Sequence, residues 1–191
     1  MKRVSMKRFV SASTPLVFAA LFMCSGCASI QVKTQPYTAG RILLLPPRDL
    51  VQNGTPHPKG AGSGLVFQNY LKSRFVGTAF TLMTTDDSGF SALEIAAKEK
   101  GLDEAKKLKA NYCLQIVLGE FQNAAPMTFR PDYAHLDQAI MYEVRTGEIV
   151  WQLAEPLRAQ KGNIGNHLKL LDDLAEAVAA SIVNNVRRTT P

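Results

Sequence analysis

The 191-residue sequence predicts a single-domain α/β sandwich, a mixed sheet of about five strands with helices packed on it. Three observations predict it. Short apolar runs of strand length alternate with stretches whose apolar residues recur every three or four positions. A Thr146-Gly147-Glu148 turn joins two further strand-like runs into a hairpin. The chain then closes on one long amphipathic stretch, giving the order β-α-β-α-β-β-β-α.

Arg41-Ile42-Leu43-Leu44-Leu45 is a continuous apolar run stopped by Pro46 and Pro47, the pattern of a strand buried on both faces. Asp49 to Gly64 reads as a long loop rich in Gly and Pro. Leu65 to Phe75 reads as a helix with Phe67, Leu71 and Phe75 at four-residue spacing. Phe80 to Thr84 is a second strand, ended by Asp86, Asp87, Ser88 and Gly89. Ser91 to Lys109 reads as a helix in two pieces, broken at Gly101, with Asp103 capping the second. Tyr112 to Phe121 has the best composition for a core strand, and Pro126 and Pro131 hold the following loop open. Tyr133 to Val144 and Ile149 to Leu153 form the hairpin. In its first strand Leu136, Gln138, Ile140, Tyr142 and Val144 alternate with His135, Asp137, Met141 and Glu143, which suits a half-exposed strand. Asn166 to Arg188 is the longest helix, with Arg187 and Arg188 at its negative end.

The first 26 residues have the three parts of a secretory signal. Lys2, Arg3, Lys7 and Arg8 form a cationic start, Leu16 to Met23 an apolar centre, and Ser25-Gly26 a small-residue end. The apolar centre is well short of the roughly 18–20 residues that span a bilayer. Ser29 to Gly40 reads as a polar tether with a reach of about 40 Å when extended. The organisation expected is a signal over 1–26, a lipidated start and tether over 27–40, and the folded domain over 41–188.

Charge argues against a polyanion partner. The signal removes four cations and no acid, so 18 basic residues face 16 acidic ones in the mature chain, a net of +2. A balance that even makes no footprint for nucleic acid. The roughly 150 residues of the domain bury about 70% of the unfolded chain's surface, so folding needs neither disulfide nor metal. Of three cysteines, Cys113 alone stays with the domain, and its apolar surroundings mark it as a small buried strand residue.

Cys24-Ser25-Gly26-Cys27 resembles the lipobox of bacterial lipoproteins, with Cys24 where Leu is usual. The competing frame ending at Cys24 puts bulky Met23 where a small residue belongs. The resemblance implies diacylglycerol on Cys27, and acyl chains at roughly 0.8 kcal/mol per buried methylene make detachment negligible. Ala28 in place of Asp implies, by the proteobacterial sorting rule, transfer to the periplasmic face of the outer membrane.

Three stretches carry a second resemblance: Arg41 to Pro47, Ala105-Lys106-Lys107-Leu108-Lys109-Ala110-Asn111-Tyr112-Cys113-Leu114, and Thr146-Gly147-Glu148-Ile149-Val150-Trp151. Together they resemble the small α/β domain in the amino-terminal part of TolB, which recurs in envelope lipoproteins of the CsgG and PelC type. The resemblance covers most of residues 41–188 and implies an architecture and a compartment. Nothing here resembles the TolB propeller or the membrane hairpins of a CsgG-type pore.

No catalytic constellation is legible. Gly60-Ala61-Gly62-Ser63-Gly64 lacks the Lys-Ser/Thr ending of a phosphate loop and reads as a helix start with Ser63 as its cap. His57, His135 and His167 have no metal-ligand spacing. Asp86-Asp87 and Asp172-Asp173 read as a turn and a solvated helix face. Neither cofactor nor metal is expected, and no enzyme. Trp151, Phe129 and Tyr133 are the candidates for contact with the bilayer or a subunit, Trp151 having the core as its plainer place. The expected function is a non-enzymatic accessory or assembly subunit of an envelope system, working through envelope proteins and homo-oligomer contacts. The alternatives are a ring-forming subunit of a polysaccharide or protein export apparatus, and a small-ligand-binding module using the Asp49–Gly64 loop.

Overall fold

The computed structural model describes residues 30–56, 60–85, 98–122, 132–161 and 167–186. Its frame is one antiparallel pair, β6 (Tyr112–Gln122) with β7 (Asp132–Glu143), in register from Tyr112 opposite Glu143 to Gln122 opposite Tyr133. On the β6 side lie β2 (Arg41–Leu44) and then β5 (Thr81–Thr84), both parallel. On the β7 side lie β8 (Ile149–Leu153) and then β1 (Val32–Thr34), both antiparallel. A small hairpin of β3 (Val51–Gln52) and β4 (Thr55–Pro56) continues past β2 on β6, and β9 (Leu157–Lys161) continues past β8 on β7. The result is one open mixed sheet.

The helices lie where the connections require them. The crossover from β2 to β5 carries α1 (Ser63–Phe75), and the crossover back over β2 to β6 carries α2 (Lys98–Lys107). The two crossovers run in opposite directions, so right-handed connection puts their helices on opposite faces. One core accordingly joins α1 and α3 (His167–Asn184) to the sheet through Phe67, Leu71, Leu114, Leu136, Leu171 and Val178. The other joins α2 to the reverse face through Leu43, Leu45, Leu102, Ala105, Cys113 and Ile140. Across the outer surface of α1 and α3, Arg74 pairs with Asp172 and holds its carboxyl below the usual carboxylate range.

The strict alternation expected of β7 fails at Asp137. The pairing with β6 slips there and slips back within three residues, a pair of compensating bulges. Ala134, Leu136, Ala139 and Met141 therefore face α1 and α3, while Ile140 and Tyr142 face α2. From Ala139 to Tyr142 the strand is buried on both faces, while its first half stays half-exposed as expected. Gly119 lies at this slip with the Asp137 carboxylate folded over it, where a Cβ would push that exposed side chain aside.

Three other expectations change. Gly101 does not break α2; it lets the helix approach the sheet, since a Cβ would meet Leu45 Cδ1 at 2.7 Å. The stretch 91–97, expected as the first helical piece, lies outside the described residues. The loop after Asp49 contains the β3–β4 hairpin, turned at Asn53-Gly54, where φ is 49° and 74°. Residues 32–34, expected in the tether, are a sheet strand. Gln31 O accepts from Ala154 N and Gln35 N donates to Val150 O, both at 2.9 Å. Tyr37 is then buried, its hydroxyl donating to Ile182 O at 2.6 Å near the end of α3.

The glycine-rich start of α1 is a clasp. Asp49 accepts from Gly62 N and Gly64 N, both at 2.8 Å, and Ser63 Oγ accepts from Leu50 N at 2.7 Å. Gly64 sits on Pro47 O, where a Cβ would come to 2.3 Å. The cap is thus Asp49, reaching from an earlier segment, and Ser63 serves the strand end instead of the helix. Asp49→Ala leaves these donors without a charged acceptor and is expected to cost about 2 kcal/mol, read as a lowered urea midpoint at unchanged slope.

Burial pushes the Cys113 thiol up to about 12 from 9.0, and burial also raises Tyr37. Both groups are held neutral in the fold and ionise more readily once unfolded. Their contribution is complete below pH 9 and is lost as pH climbs through the folded values. Urea midpoints should fall from about pH 9 upward, and less steeply in Cys113→Ala. Native Cys113 should resist alkylation at pH 8 until denaturant is added, which a thiol-counting assay would read.

Candidate functional site

A helix amino terminus preceded by glycines is a ready anion site only while its N–H donors are free. Here the Asp49 carboxylate already takes two of them. The segment expected to be a helix start rather than a phosphate cradle is one, closed by the chain's own acid. Among the described residues no group of three or more His, Cys, Asp or Glu converges to hold a metal.

Of the residues expected to make contacts, Trp151 is a core residue. Its side chain is fully buried under α3, and its Nε1 donates to Ser181 Oγ at 3.1 Å, the partner a buried indole N–H needs. The turn at Thr146-Gly147 delivers β8 into the middle of the sheet rather than to its rim, so a residue in β8 facing α3 cannot reach a partner. Phe129 and Cys27 lie outside the described residues. His57 does too.

Tyr133 is half-buried on β7 and forms the centre of a three-part stack. His135 packs on one side of its ring at 4.9 Å between centroids and 28° between planes. The Arg158 guanidinium lies 4.2 Å from the ring centroid, a cation over an aromatic face. Arg158 comes from β9, directly opposite His135 in register, so the stack ties the two strands together. His135 Nε2 is buried without a hydrogen-bond partner. The chemistry of this trio is adhesive: two of its members are already committed to the third, and none is placed as a nucleophile beside a base.

The stack belongs to a larger surface. The sheet face under α2 continues along β6 and β7 through Gln115, Val117, Gln138, His135 and Tyr133, and no described helix covers that half. These side chains are half-buried or exposed, a mixed polar and aromatic face. Sequence reasoning finds Tyr133 but not its partner Arg158, which comes from a strand of five residues that pairing with β7 brings beside it.

At the β7 side of the sheet an open groove of about 590 Å³ runs between α3 and β9. Leu157, Ala159, Leu174, Ala177 and Ala180 supply its apolar lining, and Ile30 belongs to it as well. Among the described residues no strand pairs with the outer edge of β9. No helix of the described residues is long and apolar enough to cross a membrane.

No family model matches the chain, and no curated protein matches it either. Solved structures do. The PelC dodecamer from Paraburkholderia phytofirmans superposes with a TM-score of 0.52 at 14% identity, over 84% of this chain and 99% of that one. Protein XCC0632 from Xanthomonas campestris gives 0.51 at 9% identity, over 82% and 93%. Lipoprotein GNA1162 from Neisseria meningitidis gives 0.47 at 18% identity, over 75% and 98%. At such identities the first two matches speak for architecture alone. The three sequence stretches that resembled a PelC-type domain lie in β2, in α2 with the start of β6, and in the β7–β8 turn, and the chain has the PelC-type α/β fold.

Proposed function

We propose that this chain is an envelope lipoprotein, held through Cys27 at the periplasmic face of the outer membrane, and that it works by protein contact as an accessory or assembly subunit. The observation that carries the reading is the PelC-type fold, shared over 84% of this chain and 99% of the PelC chain. The signal-like first 26 residues and the lipobox-like Cys24-Ser25-Gly26-Cys27 support the anchor. The half-covered sheet face around Tyr133 supports the contact, because polar and aromatic side chains at partial burial suit a surface that a partner completes. The Asp49 clasp speaks against a nucleotide or phosphate ligand at α1.

A second reading has one observation in its favour. The PelC structure is a dodecamer, and a ring of copies of this chain would use the same fold as a wall segment. Light scattering on the mature protein in detergent decides between them: a discrete high-order mass supports the ring, and a monomer over a wide concentration range removes it.

Two further outcomes are expected. Cys27→Ala leaves the precursor uncleaved and unacylated by mass spectrometry, and unchanged processing with unchanged acylation would sink the anchor. Crosslinking in intact envelopes yields adducts through Tyr133 replaced by a photoreactive residue, and a protein that stays uncrosslinked at native abundance counts against any contact role.

A further inference from the structure

The anchor has almost no slack. The chain enters the sheet at Gln31, whose carbonyl accepts from Ala154 N, and Val32 is already opposite Leu153. Ile30 lines the groove between α3 and β9. Cys27 precedes it by three residues, and at most about 3.6 Å per residue puts the Cys27 Cα within about 11 Å of the Ile30 Cα. A polar tether with a reach of about 40 Å would let the domain stand off a bilayer; a link this short does not.

We propose that the groove between α3 and β9 is the surface by which the domain lies on the bilayer, with phospholipid as its occupant. The inference rests on Cys27 as the anchor and adds the face and the ligand. Acyl chains on Cys27 fix the thiol at the headgroup level, so the part of the fold beside it meets headgroups first. The groove suits them. Its lining is apolar along Leu157, Ala159, Leu174 and Ala177, its size falls in the roughly 300–1,000 Å³ range of ligand clefts, and it is open along its length. Gln160 and Asn184 are exposed at its rim, two amides able to meet phosphate and glycerol oxygens.

The acids that border the groove are offset in large part within the chain. Asp173 and Glu176 share two cations with Asp172: Lys169 Nζ is 2.7 Å from Asp173, and an Arg74 nitrogen 3.5 Å from Glu176. Among the described residues nothing pairs with the outer edge of β9, whose backbone donors and acceptors could template another strand. Against a headgroup layer, lipid oxygens and interfacial water satisfy them. A weak groove suffices, because a ligand surface held next to its site by a short link acts at an effective concentration in the millimolar range.

The test uses the full, lipidated protein in vesicles of phosphatidylethanolamine and phosphatidylglycerol, with a photoreactive residue at Ala180 or Gln160, and at Lys107 on α2 or Lys72 on α1 as controls. Lipid adducts should form several-fold more at Ala180 and Gln160 than at either control. In Ala180→Glu the adduct at Gln160 should fall several-fold, while the protein stays folded and membrane-bound through its acyl chains. Adducts equal at all four positions, or adducts at Ala180 to a second copy of the chain in place of lipid, overturn the proposal and leave the anchor standing. Protein recovered without acyl groups on Cys27 overturns both.

Discussion

Eleven residues of β6 and twelve of β7 pair along nearly their whole length, and β2, β3, β8 and β9 each take their register from one of them. β2 and then β5 build outward from the start of β6, β3 from its end, β8 from the end of β7 and β9 from its start. A sheet built this way is two sheets in tandem, one at each end of the same central pair. The compensating slips at Asp137 and Gly119 make that possible. They change which side chains face which helix midway along the strand, so a single strand serves both cores and also the uncovered face. Register in a two-faced sheet is set by burial, and here Ala134, Leu136, Ala139 and Met141 keep the α1–α3 side filled across the slip.

The long elements were legible. Apolar spacing located α1 and α3, and the runs at Arg41 and Tyr112 located the buried strands, because hydrophobic periodicity reports burial directly. What escaped were the pieces whose order comes from elsewhere in the chain. Three residues of β1 and five of β9 are too short to show periodicity against their surroundings; they exist because β8 and β7 offer an edge. Gly101 carries the mark of a helix break, and only the nearness of Leu45 explains why it is not one. Asn53-Gly54 was the one local signal passed over, a two-residue hairpin turn inside what looked like an unbroken loop.

Surface chemistry was less legible than the fold. A lone tryptophan beside a hairpin fits a rim as well as a core, and the choice depends on where Ser181 falls on a helix thirty residues away. Tyr133 stood out by its aromatic type, but its meaning lies in Arg158 and His135, which pairing with β9 brings to it. Asp49 was invisible as a cap because it serves a helix that starts fourteen residues later. In each case the partner is distant in sequence, and spacing rules act only over a few residues.

The stitching of residues 31–37 has a mechanical consequence. Hydrogen bonds from Gln31 to Ala154 and from Gln35 to Val150, with the β1–β8 pairs between them, run across the strand axis. A pull applied ahead of Ile30 and directed along that axis loads them side by side, in shear, rather than opening them one after another. Tyr37, hooked to the carbonyl of Ile182, takes up the load next and passes it to the terminal helix. Tension on that segment would thus spread over strand and helix together, and the lead-in behaves as a stiff mount.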